Sequence, residues 1–186
     1  MATYISLLRG INVSGQKKTG MPELAALYAS LGLRNVRAYG QSGNVIFDSP
    51  RTDTNQLAGL IESKIEQVFK FTAAVLIRTP DELGRIIRDN PFLKERDIDT
   101  GRLHVTFLAA EPAAPALKNL KERPGTPDRF VLSGREIYLY CPNGYGRTKY
   151  SNNFFEKKLN LTATTRNWNT IKALFAITAS QTDARK

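Results

Sequence analysis

Apolar residues bunch at 3–9 (TYISLLR) in a run that ends at Gly10, which predicts a buried strand. The period then lengthens. Leu24, Leu27 and Leu31 recur three to four apart, Pro22 suits a first helical turn, and Gly32 stops the pattern. Short extended runs return at 34–39 (RNVRAY) and 44–48 (NVIFD), and Gln41-Ser42-Gly43 between them predicts a hairpin-like connection. The clearest helical stripe covers 54–70, where Leu57, Leu60, Ile61, Ile65, Val68 and Phe69 fall on one face with polar residues behind. A strand at 73–78 (AAVLIR) completes the order βαββαβ, that of a ferredoxin-like sandwich.

A similar order starts again after a short helix at 80–89, which Asn90-Pro91 stops. A strand is expected at 102–109 (RLHVTFLA), then a weak helix at 113–122, then a hairpin pairing 129–133 with 136–140 around Gly134-Arg135. Asn153 and Glu156 stand at capping-box spacing and predict a helix over 154–159. The last helix is expected from about 166 to 179, with Thr165 near its N-cap and Trp168, Ile171, Leu174 and Phe175 on one face. The predicted class is therefore α+β. A ferredoxin-like βαββαβ unit over 1–89 precedes a second, related unit over 102–180, and the two pack as one compact protein. For the second unit the pattern gives a strand, a helix, a hairpin and two helices, which leaves open whether it is complete. Residues 90–101 (NPFLKERDIDTG) read as the linker, and the two halves share no visible sequence repeat.

Charge changes the picture more than overall composition does. The 186 residues are 41% hydrophobic and 24% charged, ordinary for a globular protein, but the net charge is +10 and the pI near 9.9. Residues 1–50 hold five Lys/Arg against two Asp/Glu, and residues 141–186 hold eight against two, so the excess sits at the two ends of the chain. A basic balance of this kind points to an anionic partner. The single Cys141 excludes an internal disulfide, and the lone His104 leaves no Cys/His set for zinc, so neither metal nor cofactor is expected. No basic stretch precedes the short apolar run YISLL, and no apolar stretch approaches the roughly 20 residues of a membrane span. A cytoplasmic protein without a membrane partner is the expectation.

Four stretches could carry chemistry. In LLRGINVSGQKKTGM (7–21) Gly10 and Gly15 have the spacing of a nucleotide-binding phosphate loop. That loop needs lysine directly after the second glycine, where Gln16 stands, and Gly20 and Pro22 delay the helix by about a turn. The acidic strand Val45-Ile46-Phe47-Asp48 falls in an antiparallel hairpin, so nucleotide hydrolysis of that type is not supported. Ser14 with Lys17, and Lys18-Thr19-Gly20, imitate two motifs of penicillin-binding enzymes, but here they crowd into one loop. YGQSGNVIF (39–47) occupies the strand where RNA-recognition motifs display aromatics, yet Ser42 and Asn44 stand in their place and only Phe47 agrees. Ser42 and Asn44 suit turn chemistry or a ligand contact.

NGYGRTKYSNNFFEKKL (143–159) interleaves Arg147 and Lys149 with tyrosines ahead of a capped helix, a pattern that suits phosphate. In TTRNWNTIKAL (164–174), Arg166 and Asn167 face the preceding loop while Trp168 packs inward. His104 alternates with Leu103 and Val105 on a strand and reads as a structural histidine rather than a base. No carboxylate pair has a spacing suited to acid–base catalysis, so catalytic residues are not assigned.

LLRGINVSG, MPEL followed by LGLRNVRAYGQSGNVIF, NNFFEKKL and TTRNWNTIKAL, in that order from about residue 3 to residue 177, together resemble the bacterial domain-of-unknown-function family numbered 1697. The resemblance implies an α+β fold and no established activity, cofactor or substrate. Ser14 and Gln16 depart from the pattern that it suggests for the first loop.

The expected function is binding of an anionic ligand, either nucleic acid or a phosphorylated small molecule such as a nucleotide. Arg9, Asn12, Lys17, Lys18, Ser42 and Asn44 would act with Arg147, Lys149, Arg166 and Asn167. The alternative is an enzyme acting on a phosphorylated or nucleotide substrate.

Overall fold

Strand β1 (Ala2–Leu8) lies inside a four-stranded sheet ordered β2-β3-β1-β4, where β2 is Arg34–Tyr39, β3 is Asn44–Ser49 and β4 is Val75–Arg78. All three pairings are antiparallel. Helices α1 (Met21–Ser30) and α2 (Thr54–Phe69) connect the strands in the expected βαββαβ order. The structure, a computed structural model, describes residues 1–183. Alternation along the strands sorts the side chains. Tyr4, Leu8, Val45, Phe47, Val75 and Ile77 join Leu24, Leu27, Leu57, Ile61 and Ile65 from the two helices in one apolar core. Ser6 sits among them fully buried, and its hydroxyl meets the Tyr28 hydroxyl at 2.7 Å. That bond satisfies two buried polar groups at once, and burial pushes the Tyr28 phenol well above its ordinary range.

The second sheet repeats the first. Strands β5 (Leu103–Leu108), β6 (Arg129–Ser133), β7 (Glu136–Tyr140) and β8 (Ala163–Asn167) are ordered β6-β7-β5-β8, again wholly antiparallel. Helices α4 (Ala114–Leu117) and α5 (Asn152–Leu159) cover one face, over a core of Leu108, Ile137, Leu139, Tyr150, Phe155 and Leu159. The repeat extends to single bonds. Leu8 N–H donates to Gly43 O at 2.9 Å, as Leu108 N–H does to Arg135 O at 2.8 Å. The Glu62 carboxylate accepts from Val75 N–H at 2.8 Å, and the Glu156 carboxylate from Ala163 N–H at 3.0 Å. Arg78 pairs with Ile5 in the first sheet, Arg166 with Val105 in the second, and both arginines are buried. No sequence repeat announces this correspondence because it is carried by backbone groups, two glutamates and two arginines within segments of otherwise unlike sequence.

Four expectations are corrected. The segment 163–167 is strand β8, not the head of the last helix, and it supplies the final strand that makes the second βαββαβ unit complete. Helix α6 (Trp168–Asp183) follows, and its N-terminal side chain is Asn167, whose Oδ1 accepts from Thr170 N–H at 2.8 Å, not Thr165. The weak helix at 113–122 is confined to Ala114–Leu117. Two successive turns, Asn119 N–H to Ala116 O and Leu120 N–H to Leu117 O, then bring Leu120 against the core. Helix α5 is opened by Ser151, whose hydroxyl accepts from Phe154 N–H at 3.3 Å; Glu156 is engaged instead at Ala163.

By its internal packing the chain forms two units, Met1–Gly84 with the segment from Leu174 onward, and Arg85–Ala173. Helix α3 (Pro80–Asp89) and helix α6 each contribute residues to both. Between α3 and β5 the segment 90–102 contains short 3-10 turns at Pro91–Lys94 and Thr100–Arg102, each opened by a side-chain cap, Asn90 and Asp99 respectively. Among the described residues no helix is long and apolar enough to cross a membrane.

Candidate functional site

The loop joining β1 to α1 is built from residues of unusual hand. Gly10, Asn12, Ser14, Gly15 and Lys17 all have positive φ, between 45° and 75°. Three of the five are not glycine, and each of those costs of order 1–2 kcal/mol unless the surroundings hold it. Asn12 does the holding. Its side-chain amide donates to Thr19 O at 3.0 Å and to Gln41 O at 2.9 Å, while its Oδ1 accepts from Thr19 N–H at 2.9 Å. A short backbone bridge between Val13 and Gln16 closes the tip, with Gln16 N–H donating to Val13 O at 3.0 Å. Lys17 Nζ donates to Thr72 O at 2.6 Å and ties the loop to the α2–β4 connection.

Behind the loop, Gly43 passes so close to Leu8 and Ile11 that a Cβ there would come within 2.7 Å of Leu8 Cβ and 2.6 Å of Ile11 Cδ1. In front of it opens a cleft of about 500 Å³, lined by Asn12, Gly15, Lys18, Thr19, Gly20 and Gln41. No apolar side chain lines it. Lys18 is its one charged lining residue, exposed and paired with no carboxylate among the described residues. Gly20 is the N-cap of α1 and offers no side-chain cap to the helix. The Glu23 carboxylate folds back against Gly20, where a Cβ would lie 1.9 Å from Glu23 Oε2.

The other first-unit residues singled out in the sequence have more structural positions. Arg9 is half-buried at the end of β1, with its N–H on Ala74 O at 2.9 Å. Ser42 is exposed in the hairpin turn. Asn44 is 2% exposed, and its amide donates to Tyr39 O at 3.1 Å across the base of that turn. Asp48 accepts from Thr3 and Asn35 side chains at 2.8 and 2.6 Å.

In the second unit the two C-terminal motifs meet. Thr165 donates its hydroxyl to Asn152 Oδ1 at 2.7 Å and lies 2.7 Å from the Thr106 hydroxyl, linking β5, β8 and the head of α5. Thr106 went unnoticed in the sequence because it sits inside an apolar strand run. Arg166 is buried, with its guanidinium donating to Thr164 Oγ1 at 2.8 Å and Thr165 O at 3.0 Å. Burial pulls its pKa down to about 10. Asn167 is occupied as the cap of α6. Arg147 and Lys149 are exposed, in and after the 3-10 turn Tyr145–Arg147.

His104 stacks on Tyr145 with ring centroids 5.0 Å apart, and burial lowers its pKa from the ordinary 6.5. The unfolded chain therefore takes up this proton first. The contribution to stability is full above about pH 6.5 and is lost as the pH falls below it. His104→Gln is expected to flatten the decline in urea midpoint between about pH 7 and pH 5; equal declines in both proteins would contradict the assignment. Among the described residues no cluster of three or more His, Cys, Asp or Glu is placed to hold a metal ion.

A comparison with curated protein sequences gives no match. Among solved structures, a conserved bacterial protein from Streptococcus pneumoniae has the same fold: TM-score 0.71 at 22% identity, with 94% of this chain and 97% of that chain covered. A family model described as a protein of unknown function, DUF1697, matches residues 1–138, which take in the first sheet, the loop with its cleft, and the second unit as far as β7. With about three quarters of its length matched, the chain belongs to the DUF1697 family.

Proposed function

We propose that the protein binds a small anionic ligand of the phosphate class in the cleft beneath the β1–α1 loop. The observation that carries this reading is the set of lining residues: two amides, a hydroxyl, glycines and one lysine that pairs with no carboxylate among the described residues. Left-handed residues set among right-handed ones are a backbone pattern that favours anions. The N–H groups of Asn12, Gln16 and Thr19 are bonded within the loop, which leaves those of Gly15, Lys18 and Gly20 for a ligand. The uncapped start of α1 adds the positive end of a helix dipole at Gly20. Lys18 supplies the charge, and Asn12 holds the cleft's shape rather than the ligand, because both ends of its amide are already engaged. Lys17 likewise acts on the loop, through Thr72. Glu23 is the one opposing charge, set against Gly20, and a bound phosphate would push it away. The single cysteine fits a reducing compartment, and the reading includes a cytoplasmic location.

Amide NMR on the full chain, titrated with inorganic phosphate, pyrophosphate and a nucleoside triphosphate, tests the proposal. Shifts are expected at Gly15, Lys18 and Gly20, weakening as salt is raised. Lys18→Ala should lower affinity about five- to tenfold, and Glu23→Gln should raise it. No saturable shift in these amides with any of the three anions would overturn the reading.

A further inference from the structure

We infer that the helical side of the second unit binds the phosphodiester backbone of nucleic acid without reading its sequence. The starting point is Arg123. Its N–H donates to the Tyr150 hydroxyl at 2.8 Å, and its guanidinium carbon lies 4.9 Å from the centre of the Phe154 ring on α5. Residues three and four positions on from Phe154 share its side of the helix, and they are Lys157 and Lys158, both exposed. The segment that leads to Arg123 carries Lys118 and Lys121, also exposed, while Ala116 and Leu120 of the same segment pack into the core that α5 covers. Five exposed cations thus lie on the two segments that pack over this core.

None of the five pairs with a carboxylate among the described residues. The nearby acids are few. Glu156 is turned to the backbone of Ala163, which leaves exposed Glu122 next to Arg123. Two lysines in the last turn of α5 complement that helix's negative end, but the dipole gives no reason for Lys118, Lys121 and Arg123. The corresponding helix of the first unit, α2, mixes Glu62, Lys64 and Glu66 and builds no such field. The partner chemistry follows from what accompanies the charge. No exposed aromatic stands among the cations to stack a base, and α4, of four residues, is too short to lie as an amphipathic anchor on a membrane. Spaced, exposed cations on α5 and on the segment after α4 suit phosphates spaced along a duplex.

Fluorescence anisotropy of the full chain with labelled 20-base-pair duplexes of DNA and of RNA, at low and moderate salt, tests this inference. Binding to either duplex, equal for unrelated sequences, is expected. The double variant Lys157→Ala/Lys158→Ala should weaken it about tenfold at low salt and reduce the slope of log K on log salt by about 2, since each phosphate contact contributes about 0.9. The charge-matched control Lys64→Ala/Lys172→Ala, and Lys18→Ala in the cleft of the first unit, should change it less than twofold, so failure here and failure of the cleft are read separately. Equal weakening by both double variants would overturn the assignment to this face. Binding confined to anionic lipid vesicles or to polyglutamate, or none at low salt, would overturn the nucleic-acid partner.

Discussion

Gly43→Ala is expected to lower the unfolding free energy by about 2–5 kcal/mol. Two costs combine. The residue has φ of +77°, where a Cβ costs of order 1–2 kcal/mol, and overpacking adds typically 1–3 kcal/mol. Overpacking applies here because the new carbon would meet Leu8 Cβ at 2.7 Å and Ile11 Cδ1 at 2.6 Å. Leu8 Cβ cannot swing aside; it belongs to β1, whose Leu8 N–H is bonded to Gly43 O at 2.9 Å. The backbone must part instead, and Ile11 carries the displacement into the loop. Gly40→Ala is the matched control. It shares the left-handed backbone at +65°, but its nearest neighbour would be 3.9 Å away, so it should show only the smaller cost. Urea midpoints for the two variants, followed by circular dichroism, give the difference. Losses within about 0.5 kcal/mol of one another would show that the contact with Leu8 and Ile11 relaxes freely.

Asn12→Ala should release the β1–α1 loop while leaving the sheet beneath it folded. The substitution removes three hydrogen bonds, worth about 0.5–1.5 kcal/mol each, and places alanine at φ of +54°, a region that asparagine tolerates better. A local loss of about 2–4 kcal/mol exceeds what an exposed loop can absorb, so its opening becomes frequent. The Thr19 amide, which Asn12 Oδ1 accepts, should lose its protection from hydrogen exchange, and the phosphate-induced shifts at Gly15 and Gly20 should disappear. Asn12→Asp is the sharper variant. It can still accept from Thr19 N–H, but it turns an acceptor toward the carbonyls of Thr19 and Gln41 and adds a negative charge to the cleft. Its anion binding should be weaker still. Full protection of Thr19 in both variants would show that the loop keeps its hand without Asn12.

Most elements were legible because their signals are local. The helix at 80–89 and the hairpin 129–133 with 136–140 fall where periodicity and turn residues put them. Strand β8 was not, since Ala-Thr-Thr-Arg-Asn has no apolar stripe and becomes a strand only by pairing with β5, some 60 residues earlier. The same distance hid Arg166. Its place in a polar segment suggested a ligand, whereas strand pairing turns it to the buried face. In the loop, glycine spacing drew attention to a segment whose backbone is left-handed at five positions, only two of them glycine. The left-handed backbone at Ser14 and Lys17 leaves no mark in sequence, because neither residue favours it. Asn12 was singled out as a contact to a ligand; its three bonds make it the clasp of the loop.

Helix α6 carries a consequence for how the chain is made. From Leu174 its residues belong to the first unit, whose other part ends at Gly84, whereas Arg85–Ala173 are contiguous. On a ribosome the unit that starts emerging first is therefore the last to receive all of its residues. The nascent first sheet must wait through the synthesis of the whole second unit before Gln181 reaches the carbonyl of Asn35.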